Sequence, residues 1–457
     1  MANMSRRSVL GATLGLAATG TLGRPYIANA QAKTAIVWVN QGFIPQEDAA
    51  CNKLISDYIK ASGNQIDLSI MPFMAMNQKV ISALTSGDVP DLIFADAPAN
   101  ILPQNAWDDK IVDVTDVVAP HEPQLTETAK AGSTFYNKTT KQRSYYLCPI
   151  KQGCVPFHIW GNLVEQAGYK LSDAPKTWDA FWSFFKPMQV ELRDKGMRHL
   201  YGLGLQMTTV GPNDGNGLFQ AFVIANGGKG IVTPDGKLHT DDPQVREAAI
   251  KSVEYLTAAY KEGVVPPEVL SWNDADDNNA FHEKLILMDF DGTLSTELAM
   301  IDNKEDYHNA VTMGLPFGND GKPMVAQVNA GGGFIPKGAA NVEVAKDLMK
   351  YWMQPEVTND NMKAALGRWV PANAQVVKDD PFWLQNTDPH VIPYVKEIMG
   401  PTIPFYEGYT PAWGQVNSEQ LWGSAHADVI KNGMKASDAI DKAFKRANVI
   451  FSNYTTG

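Results

Sequence analysis

The sequence predicts an α/β protein in which helices cover a largely parallel sheet. Its length is the first observation, because 457 residues correspond to about three domains of roughly 150 residues, or to two large ones. Composition is the second: 44% hydrophobic and 19% charged residues allow a sizeable core and exclude wholesale disorder. The third is the alternation of short β-branched runs with segments of helical periodicity, which is typical of βαβ units.

The first third of the chain shows this alternation most clearly. A β-branched run at 34–39 predicts a buried strand, and the runs at 66–71 and 92–95 predict two more. Apolar residues at helical spacing over 48–62 predict a helix between the first two strands. A second predicted helix ends at Gly87, because glycine is a common helix stop signal.

Polar side chains follow two of these predicted strands. Asn40 and Gln41 come after the first strand, and Asp96 comes after the third. In open α/β sheets ligands bind beyond the carboxyl ends of the strands. The sequence therefore places these three residues among the candidate binding residues.

Further elements are predicted later in the chain. Thr177 is the predicted N-cap of a helix with Trp178 and Phe181 on one face. A strongly periodic helix is predicted at 245–260. From about Phe317 the pattern predicts a glycine-rich loop plus strand, and 331–338 precedes another helix.

Charge and cysteine content exclude several classes of function. Acidic residues number 50 against 39 basic ones, a net charge of -11, so a protein that mainly grips nucleic-acid phosphates is not expected. Three cysteines are too few for a disulfide scaffold or for a four-thiolate zinc or iron–sulfur site. We expect neither a metal nor a cofactor.

The N-terminus has the layout of an export signal. Arg6 and Arg7 form a short positive region, an apolar run of 15 residues follows at 9–23, and small residues at 28–32 suit a cleavage site. The apolar run is shorter than the ~20 residues that span a bilayer. We expect residues 1–32 to be removed as a signal peptide.

The same segment indicates the export route. Residues 5–10 resemble a twin-arginine signal, whose translocon exports folded proteins. A general secretory signal is the alternative, because Val9 stands where the twin-arginine motif usually has phenylalanine. Removal of 1–32 takes away three basic residues and no acid, so the mature charge is 36 minus 50, or -14. No other segment of the sequence reaches 18 consecutive apolar residues, and we expect a free, exported protein.

The cysteines leave two alternatives in an oxidising compartment. Cys148 and Cys154, with five residues between them, could close a small disulfide loop and leave Cys51 over. The other alternative is three buried thiols.

Five short motifs occur in one order along the mature chain. They are Ser86-Gly87-Asp88-Val89-Pro90-Asp91-Leu92, Ala174-Pro175-Lys176-Thr177-Trp178, the segment 281–292, Gly331-Gly332-Gly333-Phe334-Ile335-Pro336-Lys337-Gly338, and Pro411-Ala412-Trp413. In this order they resemble the extracellular solute-binding proteins of bacterial ABC importers, sugar-binding type. Two positions depart from that family: Gly161-Asn162 replaces its usual Tyr-Asn-Lys, and Leu294 stands where many members have a sugar-stacking tryptophan.

The resemblance implies a two-lobed, periplasmic-binding-protein-like α/β fold of type II, with a ligand cleft between the lobes. Lobe 1 would comprise 33–150 plus 318–367, and lobe 2 would comprise 151–317 plus 368–457. The resemblance also implies that the protein is periplasmic and monomeric and that it is not an enzyme. It would capture a carbohydrate-like solute by hinge closure and deliver it to a membrane ABC permease. The solute is left open among mono- or oligosaccharides, polyols, and phosphate or sulfo conjugates.

The resemblance and the residue types together give the candidate ligand-binding residues. Sugar recognition needs flat apolar faces and side chains that exchange hydrogen bonds with hydroxyl groups. Trp413 matches the family position that stacks on ligand, and Asp291 with Gly292 matches a cleft-facing loop. Gly332 would allow close backbone approach at a hinge or cleft wall. The candidates taken from residue type and position are Asn40, Gln41, Asp96, Trp160, Trp272 and Arg368.

An enzyme is the competing hypothesis. The segment 286–294 also matches the first motif of haloacid-dehalogenase-type phosphatases, with Asp289 as nucleophile and Asp291 as acid/base beside Mg²⁺. That family usually opens its catalytic domain with this motif, and no later apolar strand here ends in a paired-aspartate metal motif. A glycoside hydrolase has almost no support, because 50 acidic residues make carboxylate pairs inevitable.

Overall fold

The computed structural model describes residues 34–210 and 214–454, so the predicted signal peptide at 1–32 lies outside the described residues. In chain order the strands are β1 (Thr34–Asn40), β2 (Gln65–Met71), β3 (Leu92–Ala95), β4 (Thr134–Asn137), β5 (Gln142–Tyr145), β6 (Cys148–Cys154), β7 (Phe157–Trp160), β8 (Met288–Phe290), β9 (Ala310–Met313), β10 (Ala326–Phe334), β11 (Val370–Pro371) and β12 (Thr402–Pro404).

The helices are α1 (Pro45–Ser62), α2 (Phe73–Ser86), α3 (Leu102–Trp107), α4 (Thr115–Val118), α5 (Glu127–Ala131), α6 (Gly161–Gln166), α7 (Trp178–Ser183), α8 (Phe185–Asp194), α9 (Asp214–Ala225), α10 (Pro243–Lys261), α11 (Asp276–His282), α12 (Ser295–Leu298), α13 (Lys304–Asn309), α14 (Val342–Trp352), α15 (Pro355–Ala364), α16 (Ala374–Asp379), α17 (Pro381–Leu384), α18 (Val391–Ile398), α19 (Pro411–Ser418), α20 (Leu421–Lys431) and α21 (Ala436–Phe451). Within the two described ranges, none of these helices combines the length and the apolar composition that a bilayer crossing requires.

Local sequence signals account for the ends of several helices. Gly63 and Gly87 end α1 and α2 in the left-handed conformation, at φ of 74° and 83°, which glycine adopts without strain. The side chain of Asp242 caps the start of α10 by accepting a hydrogen bond from the Gln244 N–H. Thr177 precedes α7 as predicted, but its side chain makes no capping bond.

The first sheet has the strand order β11-β6-β10-β3-β1-β2, with β12 beside β10. The parallel pairing predicted for the N-terminal strands is confirmed, because β1 lies parallel to both β2 and β3. The expectation of a largely parallel sheet is wrong beyond this point. Strand β10 runs antiparallel to β3 and β6, and β11 runs antiparallel to β6, so the sheet is mixed.

The second sheet is small and antiparallel, with the order β8-β7-β9. Tyr201 and Gly204 add parallel bridges to Ile286 and Asp289 on the outer side of β8. Strand β8 therefore has neighbours on both sides, which buries its residues.

A third, two-stranded sheet pairs β4 with β5. Three clusters of buried apolar residues accompany the first two sheets, and the two clusters that pack on the first sheet are together called the first core. The first core takes its residues from 37–154 and 328–398, with additional contributions from α12 and α13. The second core takes its residues from 157–324 and 406–450. The chain passes between the cores near 155, near 325 and near 405, and this arrangement confirms the two-lobed α/β fold.

The expected lobe boundary at 368 differs from this arrangement. Residues 369–398 pack in the first core, where Trp383 and Tyr394 are fully buried. Strand β11 pairs with β6 of the first sheet, which holds this segment on the first side. The third crossing therefore falls about 35 residues later than the sequence indicates, at the end of β12 rather than at Arg368.

The glycine run at 331–333, in the region predicted as glycine-rich loop plus strand, is part of strand β10. A Cβ atom added to Gly332 would lie 2.0 Å from the backbone oxygen of Cys148 on the neighbouring strand β6. The register between these strands shifts at Gly331 and Gly332. The close backbone approach expected at Gly332 thus serves strand pairing and not the cavity described below.

Replacement of Gly332 by alanine is expected to destabilise the protein by about 1–3 kcal/mol or more, because the contacted atom is backbone and cannot turn away. Gly230→Ala is the control, since a Cβ there meets nothing within 4 Å. Urea unfolding of both variants measures the difference. Equal stability of the two would contradict the close approach.

The cysteines are three buried free thiols, which decides between the two alternatives. Cys148 and Cys154 stand at opposite ends of β6, and an extended strand separates such residues by roughly 20 Å. A disulfide requires Cα atoms within about 7 Å of each other. Burial also raises the pKa of the Cys51 thiol to about 12.

Candidate functional site

A cavity of about 380 Å³ lies between the two cores. One wall comes from the loops after β1, β2 and β3, whose carboxyl ends meet at one edge because the strands are parallel. The opposite wall comes from the start of α9, from residues around α11, and from the loop after β8. The lining residues are 41–43, 72–73, 96–97, 99–100, 153–155, 214, 216–218, 220, 274–275, 278, 291–293, 295, 329, 368–369, 405, 407 and 417.

Two buried ion pairs organise the wall on the first-core side. Arg368 Nη1 lies 3.0 and 2.9 Å from the two carboxylate oxygens of Glu47. Lys151 Nζ lies 2.6 Å from Asp96 Oδ1. Burial alone would raise the pKa of Glu47, but the charges of Arg368 and Lys151 outweigh it and lower that pKa. The acids and bases of this wall therefore neutralise each other.

Aromatic side chains supply flat apolar surface to the cavity. Trp369 belongs to the first core and also lines the cavity, and Phe43, Phe73 and Phe405 line it as well. Trp369 lies close to β6, where a Cβ added to Gly153 would come within 2.9 Å of the indole. Its Nε1–H is buried and has no hydrogen-bond partner among the described residues. Aromatic rings of this kind can cover the apolar face of a sugar.

The wall on the second-core side is rich in acceptors. Asp291 is held by three donors to its Oδ2 atom: Asn278 Nδ2 at 2.6 Å, Ser295 Oγ at 3.1 Å and Thr296 Oγ1 at 3.0 Å. These bonds fix the carboxylate in one orientation at the cavity surface.

Glu407 and Asn417 form a second polar pair on that wall. The Asn417 amide donates to Glu407 Oε1. Glu407 Oε2 and Asn417 Oδ1 are buried and have no partner among the described residues. Burial raises the pKa of Glu407 to about 7. Buried acceptors without partners are costly unless a ligand supplies the donors.

Carboxylates crowd together behind this wall. Oxygen atoms of Asp214, Asp277 and Asp291 lie within 4.8 Å of one another, which is close enough for all three to contact one cation. The pKa values of Asp214 and Asp277 are raised well above the usual range, by burial first and then by the neighbouring acids. Burial and the neighbouring acids therefore favour protonation of Asp214 and Asp277, and a positive charge beside the cluster would oppose that effect.

The structure brings five of the predicted residues to the cavity: Gln41, Asp96, Asp291, Gly292 and Arg368. Asn40 does not line it. The Asn40 Oδ1 atom accepts a hydrogen bond from the Asp96 backbone N–H at 2.9 Å, so Asn40 positions Asp96 instead. Arg368 lines the cavity, and its Nη1 donates to both carboxylate oxygens of Glu47, so its charge is paired within the protein.

The three predicted tryptophans lie away from the cavity, as core residues. Trp413 is fully buried and packs edge-on against Tyr406, with ring centroids 5.2 Å apart. Trp160 is also fully buried, stacks on Phe281 at 4.7 Å, and donates its Nε1–H to the Phe281 carbonyl. Trp272 belongs to the second core. Large aromatic side chains are favoured in the core because they bury much apolar area, and this outweighs the stacking role expected from motif position.

Sequence reasoning missed Trp369, Glu407 and Asn417. Trp369 directly follows Arg368, and its position beside that candidate residue is the sequence feature that could have identified it. Glu407 and Asn417 flank the Pro411-Ala412-Trp413 motif, but the motif itself indicated Trp413 as the candidate. No periodicity in the sequence separates these polar residues from ordinary surface positions.

Asp289 is unsuited to the phosphatase hypothesis. It is fully buried on β8, does not line the cavity, and its Oδ1 accepts from the Phe290 N–H. Burial and the charge of Asp291 raise the pKa of Asp289 to about 8, which leaves the group largely protonated at neutral pH. A buried, protonated carboxyl is neither accessible nor nucleophilic, so the structure does not favour this alternative.

Comparison with solved structures identifies the same fold in proteins of low sequence identity. A solute-binding protein from Thermotoga lettingae bound to α-D-tagatose is 21% identical, with a TM-score of 0.73 over 92% of this chain and 100% of that chain. Maltose-bound MalE3 of T. maritima is 16% identical, with a TM-score of 0.72 over 92% and 100%. A sugar transporter component from Arthrobacter chlorophenolicus with bound laminaribiose is 17% identical, with a TM-score of 0.70 over 91% and 99%.

Family assignment agrees with this fold. No curated protein matches the sequence. The family model described as bacterial extracellular solute-binding protein matches residues 53–391, which include the cavity-lining residues from Pro72 to Trp369. Such proteins act outside the cytoplasm as components of transporters. This chain belongs to the bacterial extracellular solute-binding proteins.

Proposed function

We propose that this protein captures a carbohydrate-like solute between its two lobes and delivers it to the permease of an ABC importer. The observation that carries this proposal is the cavity between the cores, which combines aromatic faces with buried polar groups that have no hydrogen-bond partner within residues 34–210 and 214–454. Aromatic faces suit the C–H side of a sugar ring, and the polar groups suit its hydroxyls. The structural relatives that hold tagatose, maltose and laminaribiose support the same class of solute.

The size of the cavity agrees with a small ligand. Its volume of about 380 Å³ is at the lower end of the ~300–1,000 Å³ typical of small-molecule sites. A mono- or disaccharide suits this volume better than a long oligosaccharide does. Because the walls belong to different cores, hinge motion of the lobes would open and close the cavity. Only the closed arrangement would present both outer lobe surfaces correctly to the permease.

The proposal includes the route and state of the protein. Residues 1–32 act as an export signal of the twin-arginine type, with the general secretory route as the alternative. The protein works in the periplasm as a monomer. It binds and releases its solute without chemical change.

Thermal unfolding against a panel of sugars and polyols tests the function. The panel includes tagatose, maltose and laminaribiose, the ligands of the structural relatives. A ligand that binds only the native protein raises the unfolding temperature by mass action. We expect a rise of several degrees with at least one member. A panel without any shift, together with Mg²⁺-dependent phosphatase activity, would contradict the proposal.

Gly292→Leu is expected to weaken binding of the active sugar at least tenfold without loss of stability. Gly292 lines the cavity, and a Cβ there meets nothing within 4 Å, so a side chain fits the fold but takes ligand space. Gly230→Leu is the matched control, because Gly230 has the same free space and lies outside the cavity. Calorimetric titration measures both. Equal affinity of the two variants would place the sugar elsewhere.

A further inference from the structure

The two walls of the cavity differ in charge balance. On the first-core side each lining charge has a partner: Asp96 pairs with Lys151, and Arg368 pairs with Glu47. On the second-core side Asp214, Asp291 and Glu407 form no ion pair within the described part of the chain. We call these three residues the acidic wall. Arg368 is the one basic side chain among the described lining residues, and it belongs to the opposite wall.

The acidic wall also presents hydrogen-bond acceptors that the protein does not use. Glu407 is 4% exposed and Asn417 is 3% exposed, yet Glu407 Oε2 and Asn417 Oδ1 find no donor among the described residues. Both residues line the cavity. The ligand must therefore bring donors to this wall. These unused acceptors are independent of the crowding of the aspartates, because they lie on a different segment of the chain.

The first turn of α9 lies beside both parts of this wall, the aspartates and the Glu407–Asn417 pair. Asp214 and Asn216 both lie in the first turn of α9. Asp214 approaches Asp291 within 4.8 Å, and Asn216 Nδ2 lies 3.5 Å from the Asn417 carbonyl oxygen. The N–H of Gly215 is donated to Gln206 Oε1, so the helix terminus does not hold that donor ready for an anion. The first turn of α9 therefore contacts both segments that contribute to this side of the cavity.

A hydroxyl group and an ammonium group would satisfy this wall unequally. Both can donate hydrogen bonds, but only the ammonium has three donors and no acceptor and carries a positive charge. Closure of the lobes removes water and makes uncompensated carboxylates expensive. An anionic sugar would add to that cost.

We propose that the solute carries a protonated amine, as an amino sugar does, and that this amine binds at the acidic wall. This inference rests on the proposed function, because it names the class of sugar within it. Glu407 and Asp291 act as the specificity-determining residues. The phosphate and sulfo conjugates left open by the sequence are then excluded as preferred ligands.

Calorimetric titration with matched sugars tests the inference. Glucosamine, galactosamine and mannosamine are compared at pH 7 with their parent hexoses and with the corresponding uronates. The chitosan disaccharide is compared with cellobiose, because a two-ring ligand also fits the proposed size. We expect at least one amino sugar to bind ten times more tightly than its neutral parent, and no uronate to bind more tightly than its parent.

Variants assign the preference to the wall. Glu407→Gln is expected to reduce the amine preference, the ratio of the affinity for the amino sugar to that for its neutral parent, at least tenfold. The replacement keeps the shape of a carboxyl that burial already disposes to hold a proton, so the fold should persist. Glu419→Gln, at an exposed ion pair with Arg446, is the control and should keep the preference. Asp291→Asn is the second variant.

The results that would contradict the amine inference differ from those that would contradict the proposed function. Neutral sugars that bind as tightly as the matched amines would overturn the amine inference and leave the proposed function intact. A uronate that binds most tightly would do the same. Absence of binding by every amino sugar, neutral sugar and uronate would overturn both. An unchanged amine preference in Glu407→Gln and Asp291→Asn would remove the acidic wall from the explanation.

Discussion

Arg368→Met is expected to lower the free energy of unfolding by about 3–5 kcal/mol, the cost of leaving a buried charge without its partner. The Arg368 side chain is 11% exposed and that of Glu47 is 9% exposed, so water cannot replace the lost interaction. Glu47 additionally accepts the backbone N–H of Phe43, so its carboxylate stays in place when the arginine is gone. Urea unfolding of the variant measures the loss.

Arg246→Met is the matched control for this experiment. Arg246 makes a two-pronged contact with Asp441, at 2.7 and 2.8 Å, but the two side chains are 42% and 52% exposed. Exposed pairs contribute about 0–1 kcal/mol. The double variant Arg368→Met/Glu47→Leu should recover much of the stability, because removal of both buried charges also removes their desolvation cost. A double variant as unstable as the single one would show that packing, not charge, causes the loss.

The stability of the protein is expected to fall as the pH rises from about 6.5 to 9. Burial would lower the pKa of His158, but the Glu297 carboxylate at 2.6 Å raises it to about 9. The native protein therefore holds this proton more tightly than the unfolded chain does. Stability from His158 is complete below pH 6.5 and is lost as the pH rises to 9, which amounts to about 3 kcal/mol.

Two other buried groups also make stability depend on pH. The raised pKa of Asp289, about 8, acts in the same direction as that of His158: the unfolded chain releases this proton near pH ~4 and the native protein only near pH 8, so this contribution is lost as the pH rises between those values. Burial would raise the pKa of Glu297, but His158 lowers it to about 2. Its contribution is therefore present above about pH 4.5 and is lost as the pH falls towards 2.

Urea unfolding at pH 5.5 and pH 9 measures the effect. His158→Gln should flatten the decline between pH 6.5 and 9, whereas His199→Gln, at an exposed position, should retain it. A wild-type protein that is equally stable at both pH values would contradict the assignment of a charged His158–Glu297 pair.

The sequence by itself determined the elements whose signals are local. The strands predicted at 34–39, 66–71 and 92–95 coincide with β1, β2 and β3 within one residue at each end. The sequence signals for a buried strand and for a helix that ends at glycine lie in neighbouring residues, so no distant contact is needed to recognise them. The parallel pairing of these strands then placed Gln41 and Asp96 at one edge of the sheet, where the cavity lies.

Only the tertiary structure decided which of the 11 tryptophans reaches the cavity. Trp369 and Trp413 both follow polar or turn-forming residues, and neither has a local signal for exposure. Trp413 is enclosed by Tyr406 and Trp422, whereas the ring of Trp369 lies beside Lys151, more than 200 residues earlier in the chain. Such burial depends on segments that meet only after folding.

The third chain crossing and the acidic wall have the same origin. Strand β11 joins the first sheet by pairing with β6. The lobe boundary therefore lies at the end of β12 and not at the predicted position 368. The acidic wall assembles Asp214, Asp291 and Glu407 from three segments that are separated by more than 70 residues each. Local sequence predicts where strands and helices begin and end. The charge that faces a ligand comes from side chains on distant segments, and these segments meet only in the folded protein.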